Sequence, residues 1–380
     1  MPTLLEAQKT AGTNATVSFL GGYFRALFEE NQSEWEKQLD TLAIDVQLRV
    51  WVPELTWRSG MTDRAALRVL KLYEEGAVEL QSARIFTLGG VVRHLSERVF
   101  ARFVKLLLDA PADVGASIAL DLIHFYYGDE ESERVLPKDL TLRVLTHRLF
   151  LEGRDRGQRE QMDEHSWTEV AKSFVQLYPT EGLDLADVML AHFGEDGTIF
   201  EGFFSQTQSV LEEITRLYPE EVWTRITKYL GPPIDSRAFG IRHWLRGRDL
   251  FEAGGGGALD LIPPTAIWRW VDGDVENRGW YVAYLVPPTL FRDEGKVCLA
   301  REVLVRYGGR EDVRRNLMAN FSTEGWTGPR SLHLQRKKDE LLQFKEGEPN
   351  HNVRRWINEY VAALDRDIER SRIEEERDDF

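Results

Sequence analysis

The feature that most constrains the fold is a recurrence at a spacing of forty residues. Val-Arg-Arg occurs at residues 313–315 and again at 353–355, and Leu-Tyr-Pro occurs at 177–179 and again at 217–219. Each copy lies where a segment with apolar residues at helical spacing begins. A period near forty with two helices per unit is typical of solenoids, whose units bury their apolar faces only against neighbouring units. We therefore predict a mainly α-helical, HEAT/armadillo-like solenoid of helical hairpins.

Turn signals and composition divide the chain into five segments. Four consecutive glycines at 254–257 form the clearest hinge, because neither the Gly-Lys-Ser/Thr of a phosphate loop nor a preceding strand accompanies them. The predicted segments are a loose leader at 1–15, an N-terminal helical-repeat region at 16–251, a glycine-rich hinge at 252–262, a C-terminal HEAT-like array at 263–372 and an acidic tail at 373–380.

One stretch of the N-terminal region has the pattern of a strand. Val46, Leu48, Val50 and Val52 alternate with other residues, as in an extended segment with one buried face. Pro53 limits this strand to a short or edge position, since proline cannot donate to a sheet. Residues 78–86 could form a second short extended piece. We therefore expect a small mixed, strand-containing segment near residues 46–86.

Charge and cysteine content restrict the partners and the compartment. The net charge of −15 disfavours nucleic acid, because a protein that follows a phosphate backbone needs a positive surface. The single cysteine, Cys298, excludes an intramolecular disulfide and indicates a reducing compartment. No run of apolar residues approaches membrane-span length, and residues 1–14 lack the layout of a signal peptide. A cytoplasmic protein without membrane contact is expected.

An acidic turn in the C-terminal array resembles the opening of a calcium loop. Asp272, Asp274 and Glu276 alternate as calcium ligands do, but Asn277 occupies the position of the invariant glycine and Ala283 that of the bidentate carboxylate. We interpret these residues as the polar turn of a helical hairpin and predict no metal site.

Enzymatic signatures are weak throughout. Asp274, Glu294 and Lys296 have the order of a metal-dependent nuclease site, but they fall on helix ends and a loop rather than on adjacent strands. The eight histidines include no helical zinc-binding pair, and no nucleophile elbow is present. We predict a protein that is not an enzyme and has no cofactor.

The candidate partner-binding residues follow from the predicted solenoid. The second helix of each hairpin tends to line the concave surface, so Arg314, Arg315, Arg354 and Arg355 could form a basic ladder there. Ion pairing with the neighbouring repeat is the alternative role for such arginines. Trp326 lies in a glycine-containing turn, where it could dock onto the next repeat or anchor a partner.

Four segments resemble the C-terminal helical-repeat regions of large bacterial proteins that carry a central nucleotidase of the signal-transduction ATPase (STAND/NACHT) class. These segments are residues 52–58, 267–272, 321–328 and 353–377. Several such proteins act in antiphage defence, and the resemblance implies that the repeat region is the sensor. This chain differs from the full pattern because it has no nucleotide-binding loop and no effector, so no catalytic residue can be assigned by the resemblance.

The expected function is a non-enzymatic protein-recognition or scaffold module, such as the sensor part of an antiphage defence system. Its partner would be a protein: a foreign phage protein or a nucleotidase or effector subunit. Three alternatives stay open. These are a nucleic-acid-binding HEAT-like protein, a metal-dependent nuclease, and an enzyme whose pocket is lined by carboxylates or histidines with perturbed pKa values.

Overall fold

The structure is a computed structural model of the 380-residue chain. It describes residues 2–10, 16–111, 113–128, 133–151, 160–192, 203–231, 235–246, 257–290, 298–323 and 325–378. Within these ranges the regular elements are twenty α-helices and four 3-10 helices, and no strand occurs. The chain divides into two compact units, the first made of residues 1–189 and 200–210 and the second of residues 190–199 and 211–380.

The first unit contains ten complete α-helices, three of the 3-10 helices and most of the eleventh α-helix. The α-helices are α1 (Pro2–Thr10), α2 (Ser18–Glu30), α3 (Gln32–Ile44), α4 (Val52–Ser59), α5 (Asp63–Glu74), α6 (Glu97–Asp109), α7 (Asp113–Tyr127), α8 (Lys138–Leu145), α9 (Arg148–Leu151), α10 (Glu160–Leu177) and α11 (Pro179–Ala191). The 3-10 helices are Arg49–Trp51, Leu80–Thr87 and Val91–His94.

The second unit begins within α12 (Phe203–Leu217) and continues through helical hairpins. Its further α-helices are α13 (Pro219–Ile226), α14 (Ser236–Arg246), α15 (Pro264–Asp272), α16 (Val275–Leu285), α17 (Leu299–Tyr307), α18 (Glu311–Phe321), α19 (Arg330–Gly347) and α20 (His351–Asp378). A 3-10 helix, Ala258–Leu261, precedes α15.

The prediction of a mainly α-helical protein is confirmed, and the strand-containing segment near 46–86 is wrong. The side chain of Asp45 accepts hydrogen bonds from the backbone N–H groups of Gln47 and Leu48, at 2.9 and 3.2 Å, so the chain turns where a strand would begin. Pro53 lies in the first turn of α4, where its missing N–H costs no hydrogen bond. The alternation of apolar residues over four positions therefore reflects a turn followed by a helix.

The second predicted extended piece, residues 78–86, is also helical for most of its length. Leu80–Thr87 forms a 3-10 helix whose Ala83 and Phe86 point into the core and pack near α7. These two residues are three apart, which is the repeat of a 3-10 helix. The irregular spacing of apolar residues here was a helical signal rather than a strand signal.

Helix α7 forms the centre of the first unit. All residues from Gly115 to Ile123 are buried, and α6, α8, α9 and α10 pack against the helix. A helix that is apolar around its whole circumference is expected only inside a core. Close approach of α6 depends on Gly115, because a Cβ atom at this position would lie 2.2 Å from the carbonyl oxygen of Leu107.

In the second unit, the buried side chains of Arg242 and Asn320 bind the carboxyl-terminal end of α16. Arg242 donates to the carbonyl oxygen of Tyr284 at 3.1 Å, and its guanidinium lies 3.4 Å from the centre of the Tyr284 ring. Asn320 donates to the carbonyl oxygens of Ala283 and Val286. These contacts satisfy helix-end carbonyl groups that lack intrahelical partners. Arg242 therefore serves the interior.

The two Leu-Tyr-Pro copies have the same local structure. Pro179 begins α11 and Pro219 begins α13, and in both copies the leucine is exposed while the tyrosine is half-buried. Proline is favoured in the first turn of a helix because its φ angle is already helical. Both motifs are therefore helix-to-helix junctions. Whether the hairpins stack as a solenoid stays a prediction.

The other segment predictions concern the chain ends and the hinge. Residues 2–10 of the predicted leader form α1, in which Lys9 pairs with Asp45 at 2.8 Å. Residues 252–256 of the predicted hinge lie outside the described residues. Helix α20 continues through the predicted acidic tail as far as Asp378.

The contact at Gly115 gives a test of the packing around α7. We expect Gly115→Ala to lower the free energy of unfolding by about 1–3 kcal/mol, because the backbone of α6 must move to admit a methyl group. Gly22→Ala is the matched control. Gly22 is an interior residue of α2 with open space where its Cβ would lie, so alanine should raise stability by up to about 1 kcal/mol. Urea unfolding of both variants measures the difference, and equal effects would contradict the described α6–α7 contact.

Candidate recognition surface

Arg314 is buried in the second unit. It therefore does not contribute to a basic ladder on the surface, in contrast to the prediction from the sequence. Its Nε atom donates to Glu359 of α20 at 2.8 Å, and its Nη1 atom donates to the carbonyl oxygens of Gly308 and Gly309 at 2.9 and 3.1 Å. The carbonyl oxygen of Arg314 accepts from Trp356 Nε1 at 3.0 Å. Arg314 therefore joins α18 to α20, which is the ion-pairing alternative considered from the sequence.

Arg315 is exposed on α18, where the described residues provide no hydrogen bond or ion pair to its side chain. The same holds for Arg354 on α20. Arg355 is half-exposed and donates to Glu359 at 3.0 Å. Of the four predicted arginines, three reach solvent. Arg354 and Arg355 lie together in one cleft.

This cleft lies between the end of α19 and the first turns of α20. It is an open cavity of about 400 Å³, lined by Lys345, His351, Arg354, Arg355, Asn358 and Glu359. Three permanent cations therefore surround one carboxylate. Four of these residues share one face of α20 because the spacing from His351 to Asn358 follows the helical repeat. We call this cavity the cationic cleft.

Glu359 is the only carboxylate that lines the cationic cleft, and it is already neutralised. Burial tends to raise the pKa of Glu359, but hydrogen bonds from Arg314 and Arg355 outweigh burial and hold the pKa below its usual value. Each oxygen of this carboxylate accepts one guanidinium group. Among the described residues, neither Lys345 nor Arg354 donates a side-chain hydrogen bond or forms an ion pair, although the charge of Arg354 acts on Glu348 at longer range.

A buried glutamate, Glu348, fixes the turn between the two helices that form the cationic cleft. Glu348 follows α19 and is bound by Arg301 of α17 through two hydrogen bonds of 2.8 and 3.0 Å. Its Oε1 atom also accepts from the backbone N–H of Asn350 at 2.8 Å. Burial tends to raise the pKa of Glu348, but these hydrogen bonds and the charges of Arg301 and Arg354 outweigh burial, so the pKa lies below its usual value.

Asn350 completes this arrangement by capping α20. Its Oδ1 atom accepts from the N–H groups of Asn352 and Val353, at 2.9 and 3.2 Å. A capping residue fixes the direction in which the chain enters a helix. The turn from α19 into α20 is therefore held at Glu348 and Asn350, and this brings Lys345 beside His351 and Arg354.

Trp326 packs against its own following helix. Its ring lies 6.2 Å from the ring of His333 at an interplanar angle of 25°, and the Arg330 guanidinium lies 5.1 Å from the indole centre. The side chain still has 47% of its surface exposed. Trp326 thus docks onto α19 and also presents an aromatic surface to solvent. It does not line the cationic cleft.

The acidic turn uses its carboxylates internally. Asp274 caps α16 through the N–H of Asn277 and also accepts from the Asn277 side chain, and these hydrogen bonds lower its pKa. Asp272 accepts a 2.6 Å hydrogen bond from the Tyr307 hydroxyl. No group of three metal-binding side chains occurs among the described residues. Glu294 and Lys296 of the nuclease hypothesis lie outside them.

The first unit contains a separate cavity of about 400 Å³ beside α7 and α10. It combines apolar walls with His124, Tyr127, Arg134, Glu169 and Ser173. Burial lowers the pKa of His124, the neighbouring His165 lowers it further, and Glu169 opposes this shift. A histidine with a lowered pKa beside a carboxylate in a cavity is the kind of feature that the enzyme alternative predicts.

Sequence reasoning missed Lys345, His351 and Asn358 of the cationic cleft. His351, Arg354, Arg355 and Asn358 follow helical spacing, so a search for polar residues on one helix face would have identified His351 and Asn358 in addition to the two arginines of the repeated motif. Lys345 could not be found in this way, because it belongs to the preceding helix and reaches the cleft only through the turn at 348–350.

Comparison with known proteins finds no matching family model, no matching curated protein and no matching solved structure. In the part of the chain that the structure describes, no helix combines the length and apolar character needed to cross a bilayer. The resemblance to sensor regions of defence nucleotidases accordingly stays a prediction.

The adjacent arginines Arg314 and Arg315 provide a matched test of the interior role. Arg314→Met should lower the free energy of unfolding by about 1–4 kcal/mol, because Glu359 and two carbonyl groups lose a donor. Arg315→Met should change it by less than about 0.5 kcal/mol. Denaturant unfolding followed by tryptophan fluorescence measures both. If Arg315→Met were the more damaging change, the assignment of interior and surface roles would be reversed.

The shifted pKa of Glu348 predicts a dependence of stability on pH. A carboxyl group with a lowered folded-state pKa stabilises the fold above its ordinary value of 4.5, and this contribution is lost as pH falls through the folded-state pKa. The stability difference between the unmodified chain and Glu348→Gln should therefore be largest near neutral pH and shrink in acid. Unfolding curves across this range test the sign. Glu346→Gln, an exposed neighbour, should show little pH-dependent difference.

Proposed function

We propose that this chain is a non-enzymatic protein-recognition or scaffold module that contacts an acidic region of a partner protein through the cationic cleft. The observation that carries the proposal is that Lys345 and Arg354, which donate no described side-chain hydrogen bond, line one cleft beside the paired Arg355. The chain as a whole has a net charge of −15, so the positive charge of this cleft is opposite in sign to that of the whole chain. Electrostatic complementarity of this kind accelerates and orients protein association.

The proposed architecture is a HEAT/armadillo-like solenoid. Two observations support it: the matching burial of the Leu-Tyr-Pro junctions and the position of both Val-Arg-Arg copies at the start of the second helix of a hairpin, α18 and α20. In such an array the second helices carry the recognition surface. Arg354 and Arg355 would then be presented by the array, while Arg314 would stabilise the stacking of α20 on α18.

Following the resemblance, we propose that the partner is a foreign phage protein or a nucleotidase or effector subunit of a bacterial defence system. Trp326 and its neighbour Arg330 would add an aromatic anchor outside the cleft. Exposed aromatic and arginine side chains are enriched among residues that dominate binding energy. The cationic cleft would attract the acidic region of the partner and orient the partner on this surface.

Nucleic acid is the second candidate partner, and the same cations favour it. A polynucleotide must approach through the negative field of the whole chain, whereas an acidic patch on a protein needs to meet only the local field. A nucleic-acid complex would weaken steeply with salt through the release of counterions. Resistance to salt therefore separates the two candidates.

We expect Lys345→Glu combined with Arg354→Glu to reduce partner capture at least about tenfold, corresponding to about 1.4 kcal/mol. This variant keeps the Arg355–Glu359 pair intact. The immobilised full chain would be exposed to extracts of native cells with and without phage infection and washed at low and high salt. A discrete protein retained at high salt only by the unmodified chain supports the proposal.

The control is Arg366→Glu, a charge reversal at an exposed position of the same helix. It should leave capture unchanged, and melting curves should show that both variants are folded. Equal loss in the control variant would mean that general charge is responsible. Retention of nucleic acid alone, lost at high salt, would replace the protein-recognition proposal with the nucleic-acid alternative.

A further inference from the structure

The cationic cleft carries more positive charge than an acidic side chain of a partner would neutralise. We infer that the group it receives is a phosphoryl dianion carried by a partner protein. This inference rests on the proposed function, because it names the chemistry by which that partner is recognised. It begins from the way in which the chain satisfies its own carboxylates.

Two carboxylates near the cleft show what a single negative charge requires in this environment. Glu348 is satisfied by one guanidinium, Arg301, and one backbone N–H. Glu359 is satisfied by two guanidinium groups, one of them buried. Each monoanion is therefore matched by at most two cationic groups. The charge of Arg354 also acts on Glu348, but neither Lys345 nor Arg354 hydrogen-bonds to either carboxylate.

After these pairings the cleft retains several donors. Lys345 and Arg354 donate no described side-chain hydrogen bond, Arg355 uses only its Nε atom on Glu359, and the imidazole of His351 adjoins them. One carboxylate of a partner would neutralise the charge of only one of these two side chains, Lys345 or Arg354. A phosphoryl group carries a charge of about −1.5 to −2 near neutral pH and has three acceptor oxygens, so it matches both the charge and the number of donors.

The shape of the cleft also suits a single phosphoryl group better than a polynucleotide. A cavity of about 400 Å³ holds a phosphorylated side chain, and it is bounded by the end of α19 and the start of α20. Beyond the cleft, the exposed positions of α20 carry both signs of charge: Asp365 is paired with Lys338, and Arg366 and Glu369 are also exposed, so the positive charge does not continue unbroken along this helix. Salt screens the attraction of the cleft cations beyond about 8–10 Å. The cleft therefore attracts one phosphoryl group more effectively than the many phosphates of a polynucleotide.

Binding of inorganic phosphate to the full-length chain tests the chemistry directly. With histidine labelled by carbon-13, the ring signal of His351, assigned by its loss in His351→Gln, should shift saturably at constant ionic strength. Acetate should bind at least about tenfold more weakly, because it carries a single charge. Lys345→Ala and Arg354→Ala should each weaken phosphate binding by about threefold or more, whereas Arg366→Ala should have no effect. Equal affinity for acetate and phosphate, or a shift without saturation, would overturn the inference.

Capture after phosphatase treatment separates this inference from the proposed function. Loss of cleft-dependent capture when the extract is dephosphorylated supports both. Capture that still depends on Lys345 and Arg354 after dephosphorylation keeps the protein-recognition proposal and overturns the phosphoryl inference. Capture that is unchanged by the Lys345 and Arg354 substitutions would overturn both the proposed role of the cleft and the phosphoryl inference. Displacement of the partner by free nucleotide, but not by a phosphoserine peptide, would also overturn the assignment to a phosphorylated protein.

Discussion

The hairpin of α19 and α20 is held in place by two glutamates, the buried Glu348 and the half-buried Glu359, that arginines from other helices neutralise. Arg314 reaches from α18 to Glu359, and Arg301 reaches from α17 to Glu348. Removing Arg301 would leave the charge of the buried Glu348 in a poorly hydrated position, which is more costly than the loss of a surface pair. The direction in which α20 leaves α19 depends on these contacts, and so does the arrangement of the cleft that the two helices form.

These pairings divide the basic residues of the C-terminal region into two groups. Arg314, Arg301 and Arg242 satisfy buried carboxylate or carbonyl oxygens and serve the interior. Lys345, Arg354 and Arg315 donate no side-chain hydrogen bond among the described residues and are partly or fully exposed. A basic cluster in a sequence contains both groups without distinction. The functional proposal depends only on the second group, because a guanidinium already engaged in the interior has little charge to offer a ligand.

Part of the candidate site could be predicted from the sequence. The recurrence of Val-Arg-Arg drew attention to α18 and α20, and Arg354 and Arg355 do line the cationic cleft. The prediction treated the two copies as equivalent, but Arg314 is buried while Arg354 is exposed. The reason is that α18 has a later helix packed on it, and Glu359 of that helix meets Arg314. Spacing along one chain cannot reveal which surfaces a later element will cover.

The sequence by itself determined the helical class of the protein and the positions of its main junctions. Helical periodicity and the placement of a proline in the first turn of a helix are local properties, and they can be read from residues that are neighbours along the chain. The strand predicted from Val46 to Val52 was wrong, because four alternating apolar residues fit a turn followed by a helix as well as they fit a strand. Only the tertiary structure decided which arginines are free and that Lys345 meets His351 and Arg354. Burial and ion pairing are set by contacts between residues far apart in sequence, and these contacts exist only once the helices have packed.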